Sequence, residues 1–475
     1  MKNSKMLGMV LATAVLASAT AVGTAGAAVS TKAGNAGAKA TVAQSKAANV
    51  KLTVDGSQVP VKTVTAGKTT LYSLRDLANA LDADIKLSGG NLVIQDASQQ
   101  YGLSLKIGSK DYRVNGETLQ FGTAPQQIGG TVYVELSPVV EALGGELLSA
   151  KGEISSVGRL SGQFDLPFFD AAGNVIATKE DGEVPQLIKL DSAGRHEVFS
   201  SNESAVGAVV SPDGSQAAFT DENGGLYLLN TASGLVKQLG KDTSVKTDLS
   251  WSQDGKSIYF IQGDKQEKIA YISVDTGKVT EVLADKVENK SGVRITEDGK
   301  KVIYFVQVTG KAETDKEGTE ESLKIDYSKA GTQVFSLDLA TKDSKPVQLT
   351  NDTYNKLYLS VLADGRAIYV SADPDGVIPN SVLKVVSADG KNIADLAGDL
   401  DVISAVVSGG KLIVLAASEN GSKVYEVASS GAKTELYSTD KDVTELTVSK
   451  TGTVGLIAEG KVVLVQGGKG TELTK

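Results

Sequence analysis

Seven turns of one kind recur along the C-terminal two thirds of the chain, and their spacing restricts the possible folds more than any other feature. Their glycines are Gly173, Gly214, Gly255, Gly299, Gly365, Gly410 and Gly452, separated by 41, 41, 44, 66, 45 and 42 residues. The unit is clearest at Ser211-Pro212-Asp213-Gly214, which leads into the strand-like Gln216-Ala217-Ala218-Phe219, then Leu226-Tyr227-Leu228-Leu229 and Val236-Lys237-Gln238-Leu239. A period just above 40 residues that holds four short β-rich runs is that of a propeller blade. One such sheet cannot bury both faces until neighbours stack on it.

The 66-residue gap has a visible source. Between Gly310 and Lys329 stand Glu313, Asp315, Glu317, Glu320, Glu321 and Asp326 with few apolar residues, which predicts an exposed loop inserted in the fourth blade. Seven turns predict seven blades, with six as the alternative if the weak first unit is not a blade. Where Asp precedes the turn glycine, as Asp213, Asp254, Asp298 and Asp364 do, it has a local role, because its carboxylate accepts from its own turn while Gly takes positive φ. These aspartates are read as structural. The form Ser-Pro-Asp-Gly, followed by a strand ending in an aromatic residue, resembles the TolB-like propeller repeat. The resemblance is good in the second to fourth units and decays where Ala363-Asp364-Gly365 and Ser408-Gly409-Gly410 stand in.

Residues 49–150 have a different pattern. Leu52-Thr53-Val54-Asp55-Gly56 returns sixty residues later as Tyr112-Arg113-Val114-Asn115-Gly116, each a strand running into a hairpin turn. A helix follows each copy. Leu74, Leu77, Ala78 and Leu81 have the spacing of one buried helical face, and Leu136, Val139, Val140 and Leu143 repeat it sixty-two residues on. Two copies of one small α+β unit that pack together are therefore expected. The segment resembles the copper amine oxidase N-terminal-like family, or stalk domain, through Val54-Asp55-Gly56, Leu71-Tyr72-Ser73-Leu74-Arg75, Ile107-Gly108-Ser109-Lys110 and Val132-Tyr133-Val134-Glu135-Leu136. Glu135 and Ser137 depart from the family's Pro and Arg. The resemblance implies an exported protein of a spore-forming, Paenibacillus-like Gram-positive bacterium. It implies no copper chemistry here, since such a site needs several histidines and the chain has one, His196.

The first residues support export. Lys2 and Lys5 precede an apolar run from Met6 to Ala19 and the small residues Ala25-Gly26-Ala27, the order of a signal peptide over 1–27. Residues 28–48 are mainly Ala, Lys, Thr, Ser and Gly, too poor in apolar surface to fold, and read as a flexible tether whose Lys32, Lys39 and Lys46, with Lys51 beyond, could meet anionic wall polymers. No later stretch is long enough to span a membrane once the signal is cleaved. The excess of 57 acidic over 48 basic residues argues against nucleic acid as a partner, and the lack of cysteine excludes disulfides, thiolate metal sites and a cysteine nucleophile.

Little in the chain suggests catalysis. His196 sits in a turn of the weakest unit, and no G-x-S-x-G elbow exists. Asp373-Pro374-Asp375-Gly376 offers two carboxylates but lacks the further ligands of a calcium loop. Gln466-Gly467-Gly468-Lys469-Gly470 reads as a hairpin turn, not a phosphate loop. Trp251, the single tryptophan, is read as packing between blades, with carbohydrate stacking as the alternative. The sequence thus predicts a secreted multidomain protein, either free or associated with the cell wall: a duplicated α+β stalk, then an all-β propeller over 160–475. It is expected to be no enzyme, to need no cofactor or metal, and to bind a cell-wall polymer or an envelope protein. The alternatives are a polymer hydrolase or lyase acting in the propeller channel, or a TolB-like assembly or transport accessory. Ligand and oligomeric state stay open.

Overall fold

The computed structural model describes residues 48–97, 99, 101–114, 116–149, 151–313, 324–326 and 330–475. The expected signal peptide and all of the expected tether except Ala48 lie outside them. Among the described residues no helix is long and apolar enough to cross a membrane.

The N-terminal elements are β1 (Ala48–Val54), β2 (Ser57–Ala66), β3 (Thr69–Ser73), α1 (Leu74–Ala80), β4 (Ala83–Ser88), β5 (Asn91–Asp96), β6 (Gly102–Leu105), β7 (Asp111–Val114), β8 (Glu117–Gln120), β9 (Gln126–Ile128), β10 (Thr131–Val134), α2 (Leu136–Ala142), β11 (Glu146–Ser149) and β12 (Glu153–Ser155). Ala48, read from sequence as the end of the tether, opens β1. Asp55 and Gly56, at φ 48 and 79, make the tight turn between β1 and β2 that the Asp-Gly pair predicts.

The two copies exchange hairpins. One sheet has the order β11-β12-β1-β2-β3-β10-β9 and the other β4-β5-β6-β7-β8, so each copy's last hairpin joins the sheet carrying the other copy's first. Tyr72 and Val134, equivalent residues sixty-two apart, face each other where β3 and β10 pair. A pseudo-twofold axis therefore passes through that pair. Leu74, Leu77, Val139 and Val140 from the two helices share one core with Leu52, Ile94, Leu105 and Ile154, as the helical spacing requires. Ser73 accepts from the Asp76 N–H and caps α1, whereas Glu135 at the equivalent position caps nothing. Its carboxylate instead accepts from the backbone N–H groups of Gly122 and Thr123, at 2.9 and 2.7 Å. The departure at this position thus fixes a neighbouring loop.

Beyond residue 160 come seven four-stranded antiparallel sheets in succession, spanning 164–200, 209–238, 246–283, 290–348, 355–395, 401–439 and 443–472. They are called blades 1 to 7 below, and the weak first unit is a complete sheet. Seven apolar clusters each join neighbouring sheets. Phe168, Ile176, Phe219 and Leu229 join blades 1 and 2, and Phe164, Val175, Ile457 and Leu464 join blades 1 and 7, which closes the ring. The four strands of every blade come from one stretch of chain, so no strand is exchanged at the closure. There the chain ends meet through a parallel bridge between Leu160 and Thr474, with Lys475 N–H donating to the Leu160 carbonyl at 2.9 Å. The insertion lies in blade 4, as expected; it falls between the second and third strands, and part of it is a two-stranded hairpin, Lys311–Glu313 with Lys324–Asp326, and not simply a loop.

Buried lysines brace two consecutive seams, and a third buried lysine stands at the corresponding place in the next blade. Each stands at the start of the innermost strand of its blade, Lys246 and Lys290 as the first residue and Lys356 as the second, and all have fully buried side chains. Lys246 Nζ donates to the carbonyl of Gly224 in blade 2 at 3.0 Å and to that of Ser244 at 2.8 Å, and pairs with Asp242 at 2.6 Å. Lys290 likewise reaches the Glu267 carbonyl in blade 3 and pairs with Asp285, and Lys356 holds Asp352 and the Tyr354 carbonyl. A buried ammonium persists only when its protons all find acceptors, and these sites supply them.

The segment between stalk and propeller is held at both ends. Ser156 donates to Asp55 through its N–H and its hydroxyl, at 2.9 and 2.6 Å. The Arg159 guanidinium forks onto Glu146 of β11 and reaches Glu472 in the last strand of blade 7 at 2.9 Å. That fork holds the Glu146 carboxyl below its ordinary value, and Lys441 together with Arg159 does the same for Glu472.

Candidate functional site

The turn between the first and second strands of every blade faces one end of the propeller, and these turns surround the mouth of a cavity of about 780 Å³. That volume lies within the range of about 300–1,000 Å³ typical of ligand sites. Counting two residues back from each turn glycine gives one ring position per blade: Ala171, Pro212, Gln253, Glu297, Ala363, Ser408 and Lys450. All seven line the cavity. Only Glu297 and Lys450 are charged.

The carboxylates next to this ring are occupied. Asp213 accepts from the Ser211 hydroxyl at 2.6 Å and the Ser215 N–H at 3.0 Å. Asp254 and Asp298 repeat the pattern with Ser252 and Lys256, and with Thr296 and Lys300. The hydroxyl donors hold all three carboxyls below their ordinary values. Asp170, buried at the mouth, is desolvated, yet Asn174 and Lys189 outweigh that and keep it ionised. The structural reading of the turn aspartates thus holds atom by atom.

The innermost strands carry a second repeated feature. Seven residues before the turn glycine, blades 1 to 5 place Leu166, Gly207, Asp248, Gly292 and Tyr358, all with φ between 50 and 73. The pairing of the strand slips at this point in blades 1, 3, 4 and 5. A residue other than glycine in this conformation costs about 1 kcal/mol or more, so three of these bulges are strained. Two residues after Gly292 comes Arg294, partly accessible though enclosed by protein, with Nη1 donating to the Val293 carbonyl at 2.8 Å. Burial lowers its pKa, and the Asp248 carboxylate opposes this. Glu445, seven residues before the turn glycine of blade 7, accepts from the Leu166 N–H at 2.8 Å.

The residues singled out from sequence are scattered. His196 is exposed at the start of the outermost strand of blade 1, beside a shallow hollow with Lys189, Asp191 and Arg195. Asp373 spends both carboxylate oxygens on the N–H groups of Asp375 and Ile378, at 3.0 and 2.9 Å, which makes it a turn residue. Gly467 and Gly468 form the expected hairpin turn. Trp251 packs between blades 2 and 3 against Leu228 and Phe260, and its indole donates to the Val209 carbonyl at 2.7 Å. Its rim also borders the mouth. The ring position and Arg294 were not singled out beforehand. The ring was readable by aligning the seven turns on their glycines, but Arg294 has no counterpart in other blades.

Residues 53–153 match the family model of the copper amine oxidase N-terminal domain. That stretch contains no histidine and no cysteine, so its donor set does not fit a copper centre. No curated protein sequence matches the chain. Among solved structures it is similar to TolB from Acinetobacter baumannii, with 14% identity over 74% of this chain and 77% of that one and a TM-score of 0.36. The β-propeller domain of the Trilobed protease from Pyrococcus furiosus has 14% identity over 66% of this chain and 96% of that one, with a TM-score of 0.44. An oligogalacturonate lyase from Vibrio parahaemolyticus has 12% identity over 66% and 85%, with a TM-score of 0.45. At such identities these are likenesses of fold.

Proposed function

We propose that this chain is an exported, non-catalytic binding module of the cell envelope, in which the stalk holds a propeller whose turn-side mouth takes a peptide, a protein segment or a glycan. The observation that carries this reading is the ring itself: five of its seven positions are uncharged, and the neighbouring turn aspartates are committed to their own backbone. Such a surface can exclude water and select a shape, and its turn aspartates are not free to act as acid or base. The N-terminal order of lysines, apolar run and small residues supports export, and the stalk resemblance supports a place at the wall.

The test is capture of the mature chain on purified peptidoglycan and on isolated envelopes, with Ala363→Trp filling the mouth. Capture that Ala363→Trp abolishes supports the reading. Capture that it leaves intact moves the binding site elsewhere.

A second reading has its own observation. Asp248 and Arg294 sit on adjacent innermost strands, close enough for the carboxylate to oppose the lowering of the arginine's pKa, beside a strained bulge. A hydrolase or lyase of an envelope polymer would use such a pair. Release of soluble fragments from wall material by the intact chain, lost in Asp248→Asn, would establish it in place of the first.

A further inference from the structure

The two charges on the ring say more about the ligand than its uncharged members do. Glu297 belongs to blade 4 and Lys450 to blade 7. Around a ring of seven these blades lie three steps apart one way and four the other, the greatest separation available. Both side chains are exposed, both line the cavity, and neither has an ion-pair partner among the described residues. The other charged groups at the mouth are engaged: Asp170 with Lys189 and Asn174, and Asp213 with Ser211 and Ser215. The mouth is therefore a dipole, with one free anion and one free cation facing each other across a largely neutral floor.

We infer that the turn-side mouth binds one extended peptide segment that carries a cationic group and an anionic group at its two ends, the cation toward Glu297 and the anion toward Lys450. The inference rests on the mouth being the binding site, as proposed above. A cavity of about 780 Å³ takes a short segment and not a folded domain. A polymer with charges of one sign would meet repulsion at one side of the ring for every attraction at the other, so the arrangement selects against polyanions and polycations alike.

The probes are three peptides with blocked ends, Lys-Ala-Ala-Ala-Glu, Lys-Ala-Ala-Ala-Lys and Glu-Ala-Ala-Ala-Glu, titrated calorimetrically into the full mature chain. The dipolar peptide is expected to bind more tightly than either of the others. Glu297→Gln and Lys450→Gln should each weaken it by about two- to five-fold, as solvent-exposed pairs do, and the difference should shrink at high salt. Unchanged Trp251 emission certifies that each variant is folded. Equal binding of all three peptides, or no loss in either variant, overturns the dipolar ligand. If envelope capture is still abolished by Ala363→Trp in that case, the binding-module reading survives and only its ligand class falls. If Ala363→Trp has no effect on capture either, both fall together.

Discussion

Lys246 is the best place to test what holds the ring together, because the strand it opens, Lys246–Trp251, ends on the single tryptophan. Replacing it by methionine keeps the aliphatic stem and removes only the ammonium. The carbonyls of Gly224 and Ser244 then lose a charged donor at 3.0 and 2.8 Å, and Asp242 loses its partner at 2.6 Å. Breaking a buried pair from one side costs about 3–5 kcal/mol. Asp242 is 35% exposed and recovers part of its solvation by turning to water, so the expected loss is about 2–4 kcal/mol. Trp251 donates to Val209 across the same seam, and its fluorescence therefore reports the parting of blades 2 and 3. In urea the emission midpoint should fall by on the order of 1 M or more, while Lys265→Met, which removes an exposed pair with Glu288, leaves the curve in place. A Lys246→Met midpoint that moves no further than the Lys265→Met control would refute the claim that the lysine braces the seam.

Other outcomes follow from the same geometry. Arg159→Met should leave the stalk fold and the blades intact but expose residues 156–162 to protease, since it removes the fork onto Glu146 and the bond to Glu472 together. Both glutamates titrate below their ordinary 4.5 in the folded chain, so in the unsubstituted protein this coupling is complete above that pH. It is lost as pH falls through the depressed values, and acid proteolysis should mimic the substitution. Ser211→Ala removes the largest influence lowering the Asp213 carboxyl, whose titration by carbon NMR should move up toward the ordinary aspartate range. Ser73→Ala removes the cap of α1 and should cost about 1 kcal/mol in thermal unfolding of the stalk. An unchanged stalk transition would mean that the 3.3 Å contact with Asp76 carries no weight.

What the sequence made legible was local. Turn glycines, the Asp that binds its own turn, the helical faces of Leu74 and Val139, and the place of the blade 4 insertion all depend on residues a few positions apart, where spacing states the geometry. The hairpin exchange in the stalk was not legible, because it depends on which of two similar sheets β4 and β11 join, and hairpins of the same composition fit either. The lysine braces were hidden for a different reason. A lysine at the start of a strand reads as surface, and Lys246 becomes interior only because the Gly224 carbonyl, 22 residues earlier and in another blade, comes to meet it. Arg294 was missed likewise: its neighbour Asp248 lies on another innermost strand, and no repeat marks it. The ring of Ala171, Pro212, Gln253, Glu297, Ala363, Ser408 and Lys450 lies between these cases, since its position follows from the repeat and its role only from the closure of the blades.

The closure has a mechanical consequence. Because no strand crosses it, blades 1 and 7 are joined by side-chain packing, the bridge from Leu160 to Thr474, the Phe164 and Leu166 N–H bonds to Gly460 and Glu445, and the Arg159 bond to Glu472, and the stalk enters the ring at that same point. A pull transmitted through the stalk therefore loads first the one seam that no covalent chain spans. Traction on one side and a held ligand on the other would open the ring like a clasp, from residue 160 and residue 474 outward, before any blade lost its own hydrogen bonds.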